Sequence, residues 1–167
     1  MAVSAYLFIK DVKGEAKDEQ FKDHIEVQSF TFSASNPSKA NLGTGHAGGR
    51  ATCNDFVITK NMDLASPLLF QKCAQGLHME SAYMVFTRAG AKSGRQEKFI
   101  RFDFEDLVVS SYSPSGSMND GGLPQETLSF NFGKVNLNYY VISKGELKGA
   151  LAAGFNVREA EAVEERR

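Results

Sequence analysis

"LSFNFGKVNLNYYV", Leu128 to Val141, changes phase in its middle. Leu128, Phe130 and Phe132 place apolar side chains at even positions, whereas Val135, Leu137 and Tyr139, beyond Gly133, place them at odd ones. Successive side chains of a strand point to opposite faces, so a one-residue slip turns the downstream apolar set around. The same change occurs twice more. Ile100, Phe102 and Phe104 give way to Leu107 and Val109 with a slip at Glu105-Asp106, and Ile25 and Val27 give way to Phe30 and Phe32 near Gln28-Ser29. An inserted residue makes a β-bulge, which bends and twists the strand while its apolar set stays on the core. Alternatively, each slip ends one strand and begins another. Both readings give the same fold class: long bent strands that serve two walls of a small antiparallel β-barrel or sandwich.

The rest of the chain agrees with a mainly β fold. Phe occurs 13 times and Trp never, and short apolar runs are separated by clusters of Gly, Asn, Ser and Asp. The pattern predicts strands over 5–10, 25–33, 56–60, 82–88, 99–111, 128–141 and 155–157. One segment, "SPLLFQKCAQG", predicts a short helix: Ser66 as N-cap, Pro67 in the first turn, Leu69 and Cys73 on one face, and Gly76 at the left-handed C-terminal position. Residues 1–167 read as a single domain, with 158–167 ("EAEAVEERR" within it) as a frayed, solvated tail.

Bulk properties exclude several function classes. A formal net charge of -1 provides no basic field for nucleic acid or anionic lipid. Two cysteines, Cys53 and Cys73, are too few for a disulfide framework and read as buried thiols. The opening "MAVSAYLFIKDVKGEAKDE" has neither a basic n-region nor an apolar run long enough for a signal peptide or a membrane span, so no membrane insertion is expected.

Catalytic signatures fail on context. "GTGHAG", Gly43 to Gly48, matches the dinucleotide pattern, but a loop precedes it and a strand follows, where the motif needs a strand and then a helix. No P-loop or nucleophile elbow occurs, and His24, His46 and His78 fall at no metal-ligand spacing. Asp103, Glu105 and Asp106 form an acidic knot better read as a solvated bulge than as acid/base machinery. Two glycine-rich loops, 33–50 and 114–124, are long enough to expect a binding role. Opposite the core positions, Ser129, Asn131, Asn136 and Asn138, with Thr31 between Phe30 and Phe32, make a polar face without the usual lysines and glutamates. Such a face suits a partner or a confined aqueous space.

"FIKDVKGEAKD", "FVITKNMDLASPLLFQKCAQGLHMESA", "SPSGSMNDGGLPQETLSFNFGKV" and the late "GFNV" together resemble the haemolysin co-regulated protein (Hcp) family of type VI secretion, in order along nearly the whole chain. The resemblance implies a non-enzymatic structural and transport protein without cofactor or metal. Its barrels would assemble as homohexameric rings stacked into the inner tube of a contractile machine. It further implies a VgrG-type spike, a contractile sheath and small effector proteins as partners, and passage from the cytoplasm to the exterior without a signal peptide. A fused toxin domain is not expected after Phe155-Asn156-Val157. Under this reading Thr31, Ser129, Asn131 and Asn136 line the lumen, and the loop holding Lys39, Gly43, Gly45, His46, Gly48 and Arg50 mediates ring stacking. The competing readings are a ligand-binding β-barrel and, more remotely, a hydrolase using His78 or the acidic knot.

Overall fold

The strand that contains the phase change has the same neighbour along one side and two different neighbours along the other. The computed structural model describes residues 3–37, 50–90, 95–117, 121–143 and 146–159, and the backbone of 161–163. Along them run β1 (Val3–Ile9), β2 (Ile25–Val27), β3 (Ser29–Thr31), β4 (Ala34–Ser35), β5 (Thr52–Cys53), β6 (Phe56–Asn61), α1 (Ser66–Gln75), β7 (His78–Ala89), β8 (Gln96–Ser115), β9 (Gln125–Ser143), β10 (Glu146–Asn156) and β11 (Glu161–Val163). The main sheet is antiparallel in the order β11-β10-β9-β8-β7-β1-β2. β6 adds to the first half of β9, pairing Phe56–Asn61 with Gln125–Phe130, and β3 adds to β6. β10 takes the second half of β9, from Lys134 to Ser143. The handover falls at Gly133, whose carbonyl accepts the Val157 N–H at 2.9 Å.

The two slips nearest the centre are one structural event. β8 pairs Glu105 with Lys134 and Leu107 with Phe132, so the register is the same above and below the rung of Asp106 and Gly133. A bulge of the usual kind sets two residues against one. Here each strand spends one residue at the same level. Asp106 adopts the left-handed region with φ 57°, where a short polar side chain is tolerated, and a Cβ on Gly133 would come within 3.5 Å of the Asp106 side chain. Phe104 and Leu107 on β8, and Phe132 and Val135 on β9, all remain buried across the break. The slip near Gln28 instead separates β2 from β3, with the Gln28 N–H donating to Thr59 O at 2.8 Å. Three register shifts, at Phe86/Thr87, Val109/Ser111 and Leu147/Gly149, had no signal in the alternation.

The expected barrel closure is not made by hydrogen bonds. β2 and β3, the free ends of the ladder, are joined only by the chain through Gln28, so the sheet is curled but not closed. Its interior is filled by aromatic rings: Phe56 lies 4.8 Å from Phe104 and Phe104 lies 5.2 Å from Phe132, centroid to centroid. These rings occupy the middle of the concave side, where a ligand-binding barrel would keep its chamber. Phe30, placed in the core by its parity, is 43% exposed although its ring sits 4.7 Å from Phe86, because β3 is an edge strand that pairs with β6 alone among the described strands.

α1 covers the part of the core at the other end of β8. Leu69 is fully buried, and Leu68 and Cys73 pack beside it. Gly76 takes φ 62° and closes the helix, with its N–H donating to Cys73 O and the Leu77 N–H to Lys72 O. The N-cap is Ala65 rather than Ser66, whose hydroxyl is engaged elsewhere. Cys53 and Cys73 are free and half-buried. Strands run longer than the alternation implied: β10 begins at Glu146, not Phe155, and Glu161–Val163 in the supposed tail pairs with Gly154–Asn156.

Candidate functional site

Three of the four positions expected to line a lumen, Thr31, Ser129 and Asn131, fall on one face. Directly paired residues of an antiparallel ladder share a face, and the rung Thr31–Val57–Ser129–Ser111 crosses β3, β6, β9 and β8 in turn. Ser29–Thr59–Thr127–Ser113 is the parallel rung, followed by Asn61–Gln125–Ser115. Asn131, opposite Val108, extends the face toward the Asp106–Gly133 break. None of these residues is charged. They bond to one another: the Ser111 and Ser129 hydroxyls are 2.6 Å apart, Gln28 Nε2 donates to Asn61 Oδ1 at 2.9 Å, and Gln125 Nε2 donates to Gln28 Oε1 at 3.0 Å. At the rim, Asn131 Nδ2 donates to Asp55 Oδ1 at 3.0 Å.

Asn136 does not join them. It lies past Gly133 on the rung Phe8–Tyr83–Asp103–Asn136–Gly154, part of a different wall. That wall is aromatic and charged. The Arg101 guanidinium lies 4.0 Å from the Tyr83 ring centroid and bonds Asp103, which also accepts from Asn138 Nδ2 at 2.8 Å. His24 Nε2 is 2.8 Å from the Tyr83 hydroxyl, and burial pushes the Tyr83 phenol upward.

Of the stacking-loop residues, Lys39, Gly43, Gly45, His46 and Gly48 lie outside the described residues. Arg50 is exposed and its Nη2 donates to Arg158 O at 3.4 Å. Each member of the acidic knot is held in an ion pair: Asp103 with Arg101, Glu105 with Lys134 at 3.0 Å, and Asp106 with Arg158, while His78 Nδ1 lies within hydrogen-bond distance of Asp106 Oδ1 at 2.7 Å. Through Arg158 the knot ties the C-terminal segment to the corner of β8. Among the described residues no group of three or more His, Cys, Asp or Glu side chains is placed to hold a metal ion.

One polar cluster escaped the sequence reading altogether. Lys60 Nζ contacts Glu126 Oε1 at 2.6 Å, Asp63 Oδ1 at 2.8 Å and the Asn61 carbonyl at 2.8 Å, and neither Lys60 nor Glu126 has any exposed surface. The Ser66 hydroxyl donates to Glu126 Oε1 at 2.9 Å and accepts the Asp63 N–H, also at 2.9 Å. The Tyr112 hydroxyl donates to Glu126 Oε2 at 2.6 Å. Burial, then the hydrogen bond and charge of Glu126, push the Tyr112 phenol up to about 12. The signal was present: Lys60 keeps the core parity of Phe56 and Ile58, and Glu126 that of Leu128 and Phe130. Two opposite charges in the apolar phase of paired strands imply a buried pair.

Comparison with known proteins agrees with this architecture. Residues 6–139 match the family model described as "Type VI secretion system effector, Hcp". The chain is 29% identical over 161 residues to protein hcp1 of Pseudomonas aeruginosa, covering 95% of this chain and 98% of that one. It is 28% identical over 107 residues to the major exported protein of the same organism, covering 64% of this chain and 60% of that one. Among solved structures, Hcp1 from Salmonella typhimurium aligns over 98% of this chain and 100% of its own with a TM-score of 0.80 and 29% identity. A structure titled as a type six secretion system protein aligns over 97% and 100% with a TM-score of 0.88 and 28% identity. The family match across most of the chain, with full-length structural likeness to solved relatives, places this protein in the Hcp family of the type VI secretion system.

Proposed function

We propose that the protein is the tube subunit of its secretion machine: six copies form a ring, rings stack, and the uncharged face of β3, β6, β9 and β8 lines the channel. The observation that carries this reading is the run of three rungs without a charge, from Thr31 and Ser111 to Asn61 and Ser115. Hydroxyl and amide groups already bonded to one another hold water without gripping a passing protein, whereas a charged wall would bind cargo of opposite sign. Thr31, Ser129 and Asn131 face the lumen in this arrangement, and Asn136 belongs to the outer wall. Small effector proteins occupy the lumen, a VgrG-type spike caps the tube, a contractile sheath surrounds it, and export needs no signal peptide. The protein acts by assembly and transport, without catalysis. The loop with Lys39, Gly43, Gly45, His46, Gly48 and Arg50 contacts the next ring.

Sizing with mass measurement and electron microscopy tests the reading. A hexameric mass and annular particles with an open centre are the expected result, and a chain that remains monomeric at micromolar concentration overturns it.

A further inference from the structure

Between Val135 and Ser143 on β9, and between Gly149 and Asn156 on β10, the sequence contains no charged residue. The two segments pair with each other, Tyr139 against Leu151, Leu137 against Ala153 and Val141 against Gly149. On that face Tyr139 is 50% and Leu151 is 68% exposed, with Leu137 and Val141 exposed between them. The patch grows out of the core, since Leu137 pairs with Phe102, on which the exposed Phe30 ring also lies. A solvated hairpin carries charges on its faces, and an uncharged apolar one is an aggregation hazard unless it is covered. Depletion of charge with retention of aromatic side chains is the composition of an interface core.

A second, different apolar patch lies on the helix side. Phe70 is 56% exposed and packs 5.6 Å from Tyr112, with Leu64 and Leu77 exposed nearby in the chain. The two patches attach to opposite ends of the β8–β9 pair, where Tyr139 pairs with Ile100 and Leu128 with Tyr112. Twelve strand residues span roughly 40 Å, so one chain cannot cover its own hairpin with its own helix. They also sit on the two lateral edges of the uncharged face, whose rung runs from Thr31, next to Phe30, to Ser111, next to Tyr112.

We infer that the apolar face of the β9–β10 hairpin of one copy covers the Phe70 side of α1 and β8 on the next copy. This inference rests on the tube reading and names its lateral contact. The contact is heterologous, one patch meeting a different one, which is the kind that closes into a ring. It also sets the uncharged faces of neighbouring copies edge to edge, so the channel wall is continuous across the joint.

The test uses full-length Leu151→Glu and Phe70→Glu proteins. Both side chains are largely solvent-exposed in the single chain, so circular dichroism should report the native fold; Leu151→Asn and Phe70→Asn replace any glutamate variant that fails to fold. Each variant alone should have the mass of one chain where the wild type has that of a ring. Mixed, they should form a heterodimer and no ring, because each retains the patch that the other has lost. Rings from either variant alone, or two monomeric variants that do not combine, overturn the inference. Wild-type rings alongside ring-forming variants remove this contact and leave the tube reading intact, whereas a monomeric wild type removes both.

Discussion

Lys60 Nζ lies 2.6 Å from Glu126 Oε1 across one rung of the β6–β9 ladder, and neither side chain reaches solvent. Each of the two strands places one charge on the core side, and Ser66, Asp63 and Tyr112 supply the remaining hydrogen bonds. Through Ser66 and Asp63 the pair joins the start of α1 to the sheet. Removing one partner strands the other charge in the interior, which costs about 3–5 kcal/mol. Glu126→Gln should therefore lower the unfolding free energy by that order in urea titration. Replacing both residues together by apolar side chains should recover most of the loss, and a double-variant loss equal to the sum of the two single-variant losses would show that the pair is not coupled.

Alkaline pH should weaken the same cluster. The folded-state pKa of Tyr112 is raised from 10.0 to about 12. A raised pKa means that its contribution is fully present below the unfolded value near 10 and is lost as pH rises through about 12. Stability measured from pH 9 to pH 12 should decline for the wild type, and its advantage over Tyr112→Phe should shrink across that window. A constant difference between the two proteins would contradict the assignment.

Gly154 is fixed by contact rather than by backbone angle, because a side chain there would collide with the Asn136 amide oxygen. Gly154→Ala should destabilise by about 1–3 kcal/mol, the usual range for overpacking. Asn136→Ala in the same chain should reduce that cost, so a double-mutant cycle by thermal unfolding should show coupling between the two positions.

Thr31 is exposed on the face assigned to the channel. Thr31→Gln should change stability by no more than about 0.5 kcal/mol and leave ring mass unchanged, while altering the amount of effector retained in co-purification. Unfolding of this variant would refute the placement of Thr31 on a solvated face.

The alternation made the bent strands legible. It located the breaks at Gly133 and at Glu105-Asp106, although not the fact that they oppose each other, because pairing between distant segments leaves no mark on either one alone. β10 was missed because "GELKGALAAG" carries small residues with little strand preference. It is a strand because β9 offers it a ladder. Thr31, Ser129 and Asn131 fall on one run of rungs and Asn136 on another, since a strand of 19 residues spans roughly 60 Å and passes from one set of neighbours to the next. Lys60 and Glu126 were passed over because their charge obscured their parity.

The shared step at Asp106 and Gly133 also restricts how the chain can change in length. Deleting Gly133 alone would turn the whole second half of β9 inside out against a β8 that had not moved. Deleting Asp106 alone would do the same to the first half of β8. Removing both would restore plain alternation on each strand, Phe104-Glu105-Leu107 opposite Val135-Lys134-Phe132, and keep every other rung in place. Insertions and deletions at this corner must therefore come as matched pairs, one in each of two segments more than twenty residues apart in sequence.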